Sequence, residues 1–196
     1  SKKFLMNQRK KKMILYDKSI LKELRKGSIV IKPFRRDCLG SNSYDIHLGN
    51  TLAIYKDKLL DSKKHNEIKI ITIPENGIIL NPNEIYLSAT EEYTETHNHV
   101  PFLDGKSSIG RLGIDIHATA GKGDVGFCNH WTLELSVKRP VIVYPGMPIG
   151  QLIYFKVKGK VINPYNKKPS SKYSGKQPLP VESMLWKEFQ DLNQKN

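Results

Sequence analysis

The side chains best placed to do chemistry lie between Asp104 and Glu134. In Trp131-Thr132-Leu133-Glu134-Leu135-Ser136-Val137 apolar and polar residues alternate strictly, as in a strand with one buried face. Glu134 therefore projects among small polar neighbours. Covered by a ligand it would be partly desolvated, which suits a proton-shuttling carboxylate; left open, it is an ordinary solvated glutamate. Upstream, Gly105-Lys106-Ser107-Ser108-Ile109-Gly110-Arg111 combines glycines, which allow close backbone approach, with hydroxyls, a lysine and an arginine that can donate to phosphate oxygens. Its order is not that of a Walker A loop, and alone it reads equally as a serine-rich turn with a surface lysine. Between the two, Asp115 to Phe127 carries Gly121, Gly123, Gly126 and Asp124. This run predicts a tight hairpin whose backbone could face a planar base, with Asp124 accepting from a sugar hydroxyl; the plainer reading is a hairpin with a turn aspartate. His117 reads as a packed or hydrogen-bonded histidine rather than a ligand.

Other chemistries are missing. Zinc nucleobase deaminases draw ligands from a P-C-x-x-C pair, whereas the only cysteines here, Cys38 and Cys128, are far apart. That excludes their mechanism. No G-x-S-x-G occurs, and neither cysteine sits in a nucleophile motif.

Elements must position these residues. Asp17 is expected to cap a helix from Lys18 to Arg25, with Ile20, Leu21 and Leu24 as its apolar stripe and Gly27 as its stop. Short β-rich runs follow: 29–31, 44–48, 51–55, 68–73, 77–80, 85–89, 114–118, 131–137, 141–144 and 149–157. Turn signals such as Gly40-Ser41-Asn42 and Asn81-Pro82-Asn83 separate many of them. The pattern predicts a sandwich, jelly roll or barrel. A second helix is expected after Pro180, on a stripe of Leu185, Phe189 and Leu192. Residues 164–179, rich in Pro, Lys, Ser and Gly, read as a mobile loop, and 1–12 as a basic disordered extension before a single folded domain, 13–196.

The bulk composition bounds the class. A chain of 196 residues with 38% hydrophobic content can bury a core of its own. No apolar run reaches transmembrane length and no signal segment is evident, so membrane association is not expected. With two thiols and no disulfide framework, a cytoplasmic location is expected. The net charge is +13, and six of the positive charges lie in residues 1–12. Such an excess suits an anionic ligand, nucleotide or nucleic acid; it is equally compatible with solvated lysines spread along the chain.

Taken in order, GKSSIGRLG, HATAG, GDVGF, WTLEL, PGMPIGQL and SKYSGK, preceded by MILYDKSI and LGSNSYDIHLG, resemble the dCTP deaminases of the dCTP deaminase/dUTPase superfamily, over roughly residues 13–186. The resemblance implies a mainly β fold, a distorted jelly-roll or β-barrel of the dUTPase-like type with short N- and C-terminal helices. It also implies a homotrimer with sites between subunits. Glu134 would be the general base that takes a proton from water and later delivers one to the leaving ammonia. Ser107, Arg111 and the carbonyl of Ala120 would position that water and the base. Lys106, Ser107 and Ser108 would hold phosphates, with Thr119 and Arg111 also facing the nucleotide, and Asp124 would contact the deoxyribose 3′-hydroxyl. Tyr165, Lys172 and the segment through Lys176 and Gln177 would close over the triphosphate as a C-terminal lid. Magnesium would arrive on the phosphates, without zinc and without a protein ligand.

The leading expectation is deamination of dCTP to dUTP and ammonia. The alternative is a bifunctional enzyme that proceeds to dUMP and pyrophosphate, which the Thr119-Ala120-Gly121 run keeps open; within the family, enzymes that only deaminate often carry a bulkier residue at the position of Gly121. Gly123 replaces the apolar residue usual before the hairpin aspartate and is expected to loosen the turn. A dUTPase lacking deaminase activity, a catalytically dead trimer and a nucleic-acid-binding barrel are further readings. The last finds no stacking platform among Tyr86, Tyr93 and Tyr154.

Overall fold

The computed structural model describes residues 13–173 and 178–193; the basic extension 1–12, Lys176 and Gln177 lie outside them. Helix α1, Asp17–Arg25, packs Ile20 fully into the core. Its N-cap is Tyr16, not Asp17: the aspartate occupies the first turn, and its carboxylate accepts only from the Lys18 amide. Gly27, at φ +70°, turns the chain out of the helix as expected.

The strands are β1 (Ile29–Lys32), β2 (Tyr44–Tyr55), β3 (Ile68–Thr72), β4 (Ile78–Leu80), β5 (Tyr86–Thr96), β6 (His99–Gly105), β7 (Ile114–Asp115), β8 (Cys128–Val137), β9 (Val141–Val143) and β10 (Pro148–Lys156). The two runs expected at 44–48 and 51–55 are one strand, because the chain passes Gly49 as a bulge between Leu48 and Leu52 instead of turning. Strand β6 was not foreseen: His99-Val100-Pro101-Phe102 contains a proline, which is tolerated near a sheet edge. Two further helices are α2 (Ser107–Arg111), formed within the serine-rich run, and α3 (Trp186–Asn193), which starts later than expected and leaves Leu185 outside it.

The main sheet runs β6-β10-β2-β5-β8-β7, with β1 added to β5 and β3 to β2. Its two ends are sewn together by the segment after β7. On one side the Glu134 amide donates to Ile116 O (3.1 Å); on the other, Leu103 N–H donates to Gly121 O (2.7 Å) and Gly123 N–H to Pro101 O (2.9 Å). The sheet is thus a nearly closed barrel, filled by Tyr44, Ile46, Leu48, Leu52, Leu103, Leu133, Leu135, Ile149, Leu152 and Tyr154. Residues Met13 to Leu15 lie along the end of β10, with Leu15 N–H donating to Tyr154 O (3.0 Å) and Lys156 N–H to Met13 O (2.8 Å). The expectation of a mainly β, barrel-like fold with short helices at both ends holds.

Candidate active site

Strand β8 alternates as its sequence predicts. Trp131, Leu133, Leu135 and Val137 are buried, while Thr132, Glu134 and Ser136 are half-buried on the other face. Glu134 Oε2 accepts from the Ala118 amide (3.1 Å) and lies 4.0 Å from His117 Nδ1. The His117 ring is fixed by its other nitrogen, which donates to Leu103 O (2.8 Å). Its Nδ1 is buried and has no hydrogen-bond partner among the described residues. His117 is therefore the hydrogen-bonded histidine anticipated.

The segment expected as a tight hairpin instead crosses from β8 to β6, pairing with both and not with itself, and its glycines have steric causes. A Cβ on Gly121 would stand 2.3 Å from Leu103 O, a backbone atom, and 3.1 Å from the His117 ring. On Gly123 it would stand 2.6 Å from the Trp131 ring and 2.9 Å from Pro101. Gly123 thus does not loosen the turn: it is buried, and the indole fills the space a side chain would take. Gly126, at φ +92°, passes directly beneath the backbone of Pro164 and Tyr165.

The expected residues border three different cavities. Glu134 and Ala120 line one of about 380 Å³ with Phe127, Trp131, Thr132 and Tyr173. Lys106 and Ser107 line another of about 580 Å³, walled by Ile116, His117 and Gln151. Asp124, Tyr165 and Lys172 border a third of about 700 Å³. Segment 116–118 separates the first two, contributing His117 to the serine side and the Ala118 amide to Glu134. Ser107, Ser108 and Arg111 are exposed, and among the described residues Arg111 donates only to Ser107 O (3.0 Å). Thr119 is exposed. Asp124 is half-exposed, with Lys122 at 3.6 Å and Lys168 at 3.8 Å.

Lys106 is held by the Asp45 carboxylate, which also accepts from Gln151 Nε2 (3.0 Å). Three separate sequence runs, SYD, GKSS and GQL, thus meet at one point. Asp45, Gln151 and Tyr173 were not singled out in the sequence, although each lies in a quoted run.

The C-terminal segment is not a free loop where it is described. Tyr165 N–H donates to Val125 O (2.7 Å), the Tyr165 hydroxyl accepts from the Tyr173 amide (2.9 Å), and Asn129 Nδ2 donates to Tyr173 O (3.2 Å). Burial pushes the Tyr165 phenol above its ordinary pKa. Lys172 is engaged by Glu188 of α3. Further on, Val181 N–H donates to Thr132 Oγ1 (3.3 Å), so the chain crosses the β8 face that carries Glu134.

The family model described as dCTP deaminase-like matches residues 14–157. The chain belongs to the dCTP deaminase-like family. It is 46% identical over 177 residues to "dCTP deaminase, dUMP-forming" of Clostridium acetobutylicum, covering 90% of this chain and 99% of that protein. To the protein of the same name from Cytophaga hutchinsonii it is 45% identical over 173 residues, covering 87% and 95%. Among solved structures, the 2'-deoxycytidine 5'-triphosphate deaminase of Agrobacterium tumefaciens superposes with a TM-score of 0.59 at 18% identity, over 74% of this chain. This chain spans about half (48%) of that one, and the likeness is one of fold. The name shared by these dCTP deaminase-like relatives overturns the leading product expected from the sequence: they are dUMP-forming, and dUTP is not their named end product.

Proposed function

We propose that this protein converts dCTP to dUMP, ammonia and pyrophosphate, taking the magnesium complex of dCTP as substrate. The observation that carries the reading is Glu134, a half-buried carboxylate held by a backbone amide inside a small cavity beside Ala120. Its relatives' dUMP-forming name and its own Thr119-Ala120-Gly121 run supply the product.

Glu134 takes a proton from water, the oxygen adds to C4 of cytosine, and N3 is protonated. The C–N bond to the amino group then breaks, and ammonia leaves with a proton returned through the same carboxylate. Acid–base help of this kind is worth about 10²–10⁴-fold in rate. No resident metal is required, which agrees with the lack of a P-C-x-x-C pair. Ser107, Arg111 and the Ala120 carbonyl orient water and base. Lys106, Ser107 and Ser108 provide cationic and hydroxyl donors, a set matched to phosphate oxygens rather than to a metal ion. A second water then cleaves the α,β-phosphoanhydride of the uracil nucleotide. Thr119 and Asp124 bind the nucleoside, and Tyr165, Lys172, Lys176 and Gln177 cover the phosphates and exclude bulk water.

Ser107 and Glu134 border separate cavities within one chain, which supports a site completed by a second copy, as in the homotrimer that the resemblance implies. Incubation with dCTP and magnesium, resolving every product, tests the function. dUMP, ammonia and pyrophosphate in equal amounts are expected; dUTP that accumulates without pyrophosphate overturns it.

A further inference from the structure

Ser19, Lys22, Glu23 and Lys26 are spaced i, i+3, i+4 and i+7 along α1 and its C-cap, so they share one side of the helix. With the start of β6 and the end of β10 they enclose a cavity of about 560 Å³. His99 and Lys156, partners in the β6–β10 register, supply its strand side. Gly159, at φ +105°, reverses the chain after β10, and Lys160 joins the same wall. Four lysines thus meet one carboxylate, and that carboxylate is taken: Glu23 accepts from Lys26 Nζ (2.8 Å) and from the Ser28 hydroxyl. Lys22, Lys156 and Lys160 make no ion pair among the described residues. Outside them, in 1–12, 174–177 and 194–196, no side chain is acidic. No Asp or Glu of this chain therefore pairs with these three ammonium groups.

A second observation comes from the floor. His99 lines the cavity, is only 5% exposed, and its buried Nδ1 has no hydrogen-bond partner. Burial does most to hold its pKa below the ordinary histidine value; Glu23 opposes this, while Lys156 and Lys26 add to it. Lys22 and Lys160 stand on the same cavity, and the neighbouring His97 is engaged by Glu95 (2.9 Å). The histidine is thus a neutral group set among cations, short of a hydrogen-bond partner and of a negative charge.

We infer that this recess binds a polyphosphate group, apart from the catalytic site. Several ammonium groups around one small cavity match a ligand with several negative charges on adjacent centres, a di- or triphosphate, better than a single carboxylate. The lysines converge on a recess instead of running along a face, which sets the site apart from a nucleic-acid track. The Ser19 hydroxyl on the helix side adds a neutral donor. An anion beside His99 counters both burial and the lysines, so the imidazole takes up a proton as the ligand binds. The recess shares no lining residue with the cavities that hold Glu134, Ser107 and Asp124.

Calorimetric titration of the full chain with inorganic tripolyphosphate, with no pyrimidine present, tests the site without turnover, so its failure is separate from that of the proposed reaction. Lys106→Gln, which weakens the proposed catalytic phosphate grip, should leave one binding event per chain. In that background the exposed substitutions Lys22→Gln and Lys160→Gln should each lower affinity about tenfold, the scale of one charge-assisted hydrogen bond. Binding should tighten as the solution is taken from about pH 8 to about pH 6.5, and His99→Gln should remove most of that dependence. Repeating the titration with ATP separates the sources of the group: equal affinity makes the phosphates alone the determinant, and tighter binding of ATP assigns the recess to a nucleotide. Loss of all binding in Lys106→Gln, or unchanged affinity when Lys22→Gln and Lys160→Gln are combined, overturns the proposal.

Discussion

Glu134 and Arg111 make a useful pair because the fold treats them so differently. Glu134 is braced by the Ala118 amide and stands 4.0 Å from His117 Nδ1. Glu134→Gln keeps the shape and loses the base, so nucleotide binding measured by calorimetry should persist while deamination falls by about 10²–10⁴-fold. Arg111 is exposed and makes one bond, to a carbonyl of its own short helix. Arg111→Ala should therefore shift the thermal midpoint hardly at all, since exposed substitutions usually stay within about ±0.5 kcal/mol, yet it should abolish turnover. An active Arg111→Ala enzyme would reduce that residue to decoration. Glu134 was legible in the sequence because a period of two assigns faces without any tertiary information. Lys106 was legible as a cation beside two hydroxyls, but its tie to Asp45 was not: residue types report what a group can bind, while long-range register decides which partner is nearby.

At the scale of elements, the segment 116–123 has two tasks, sealing the barrel and presenting Ala118 to Glu134. Its glycines were read as a tight hairpin, but the segment pairs outward with β8 and β6 rather than with itself, and the steric reason for the glycines lies elsewhere. Gly121 is required by a carbonyl of β6 and Gly123 by the Trp131 ring, neither of which is near in sequence. Gly121→Ala must push against backbone, an overpacking cost of about 1–3 kcal/mol, with roughly 2–4 °C lost from the thermal midpoint for each kcal/mol. The displaced segment should also lower turnover, because the Ala118 amide moves with it. Scanning calorimetry and initial rates check both; a variant with wild-type stability and activity would show that β6 yields freely. Strand limits were less legible than strand existence. The bulge at Gly49 and the proline of β6 hid one continuous strand and one whole strand, since pairing with neighbours overrides local turn and breaker signals.

For the whole molecule, the division of Ser107 and Glu134 between cavities makes assembly a kinetic question. Two inactive variants, Ser107→Ala and Glu134→Gln, refolded together as a mixed population should regain activity, because some mixed interfaces then join an intact serine to an intact glutamate. Each variant refolded alone should stay inactive. No recovery in the mixture would place both residues in one chain's site. The sequence could suggest a trimer only through family likeness, since an interface leaves no periodic signature in a strand whose outer face is already polar. The C-terminal crossing was likewise hidden: its composition reads as loop, and only the bonds from Val181, Tyr165 and Asn129 show that it is laid across β8.

The grip of Asp45 on Lys106 has a consequence for discrimination. The ammonium is already paired with a carboxylate. Under the proposed function, a bare nucleoside would gain nothing from it, and a phosphorylated one would have to displace Asp45 with a denser anionic charge. Entry would then be an exchange of one anion for another, which would favour dCTP over deoxycytidine.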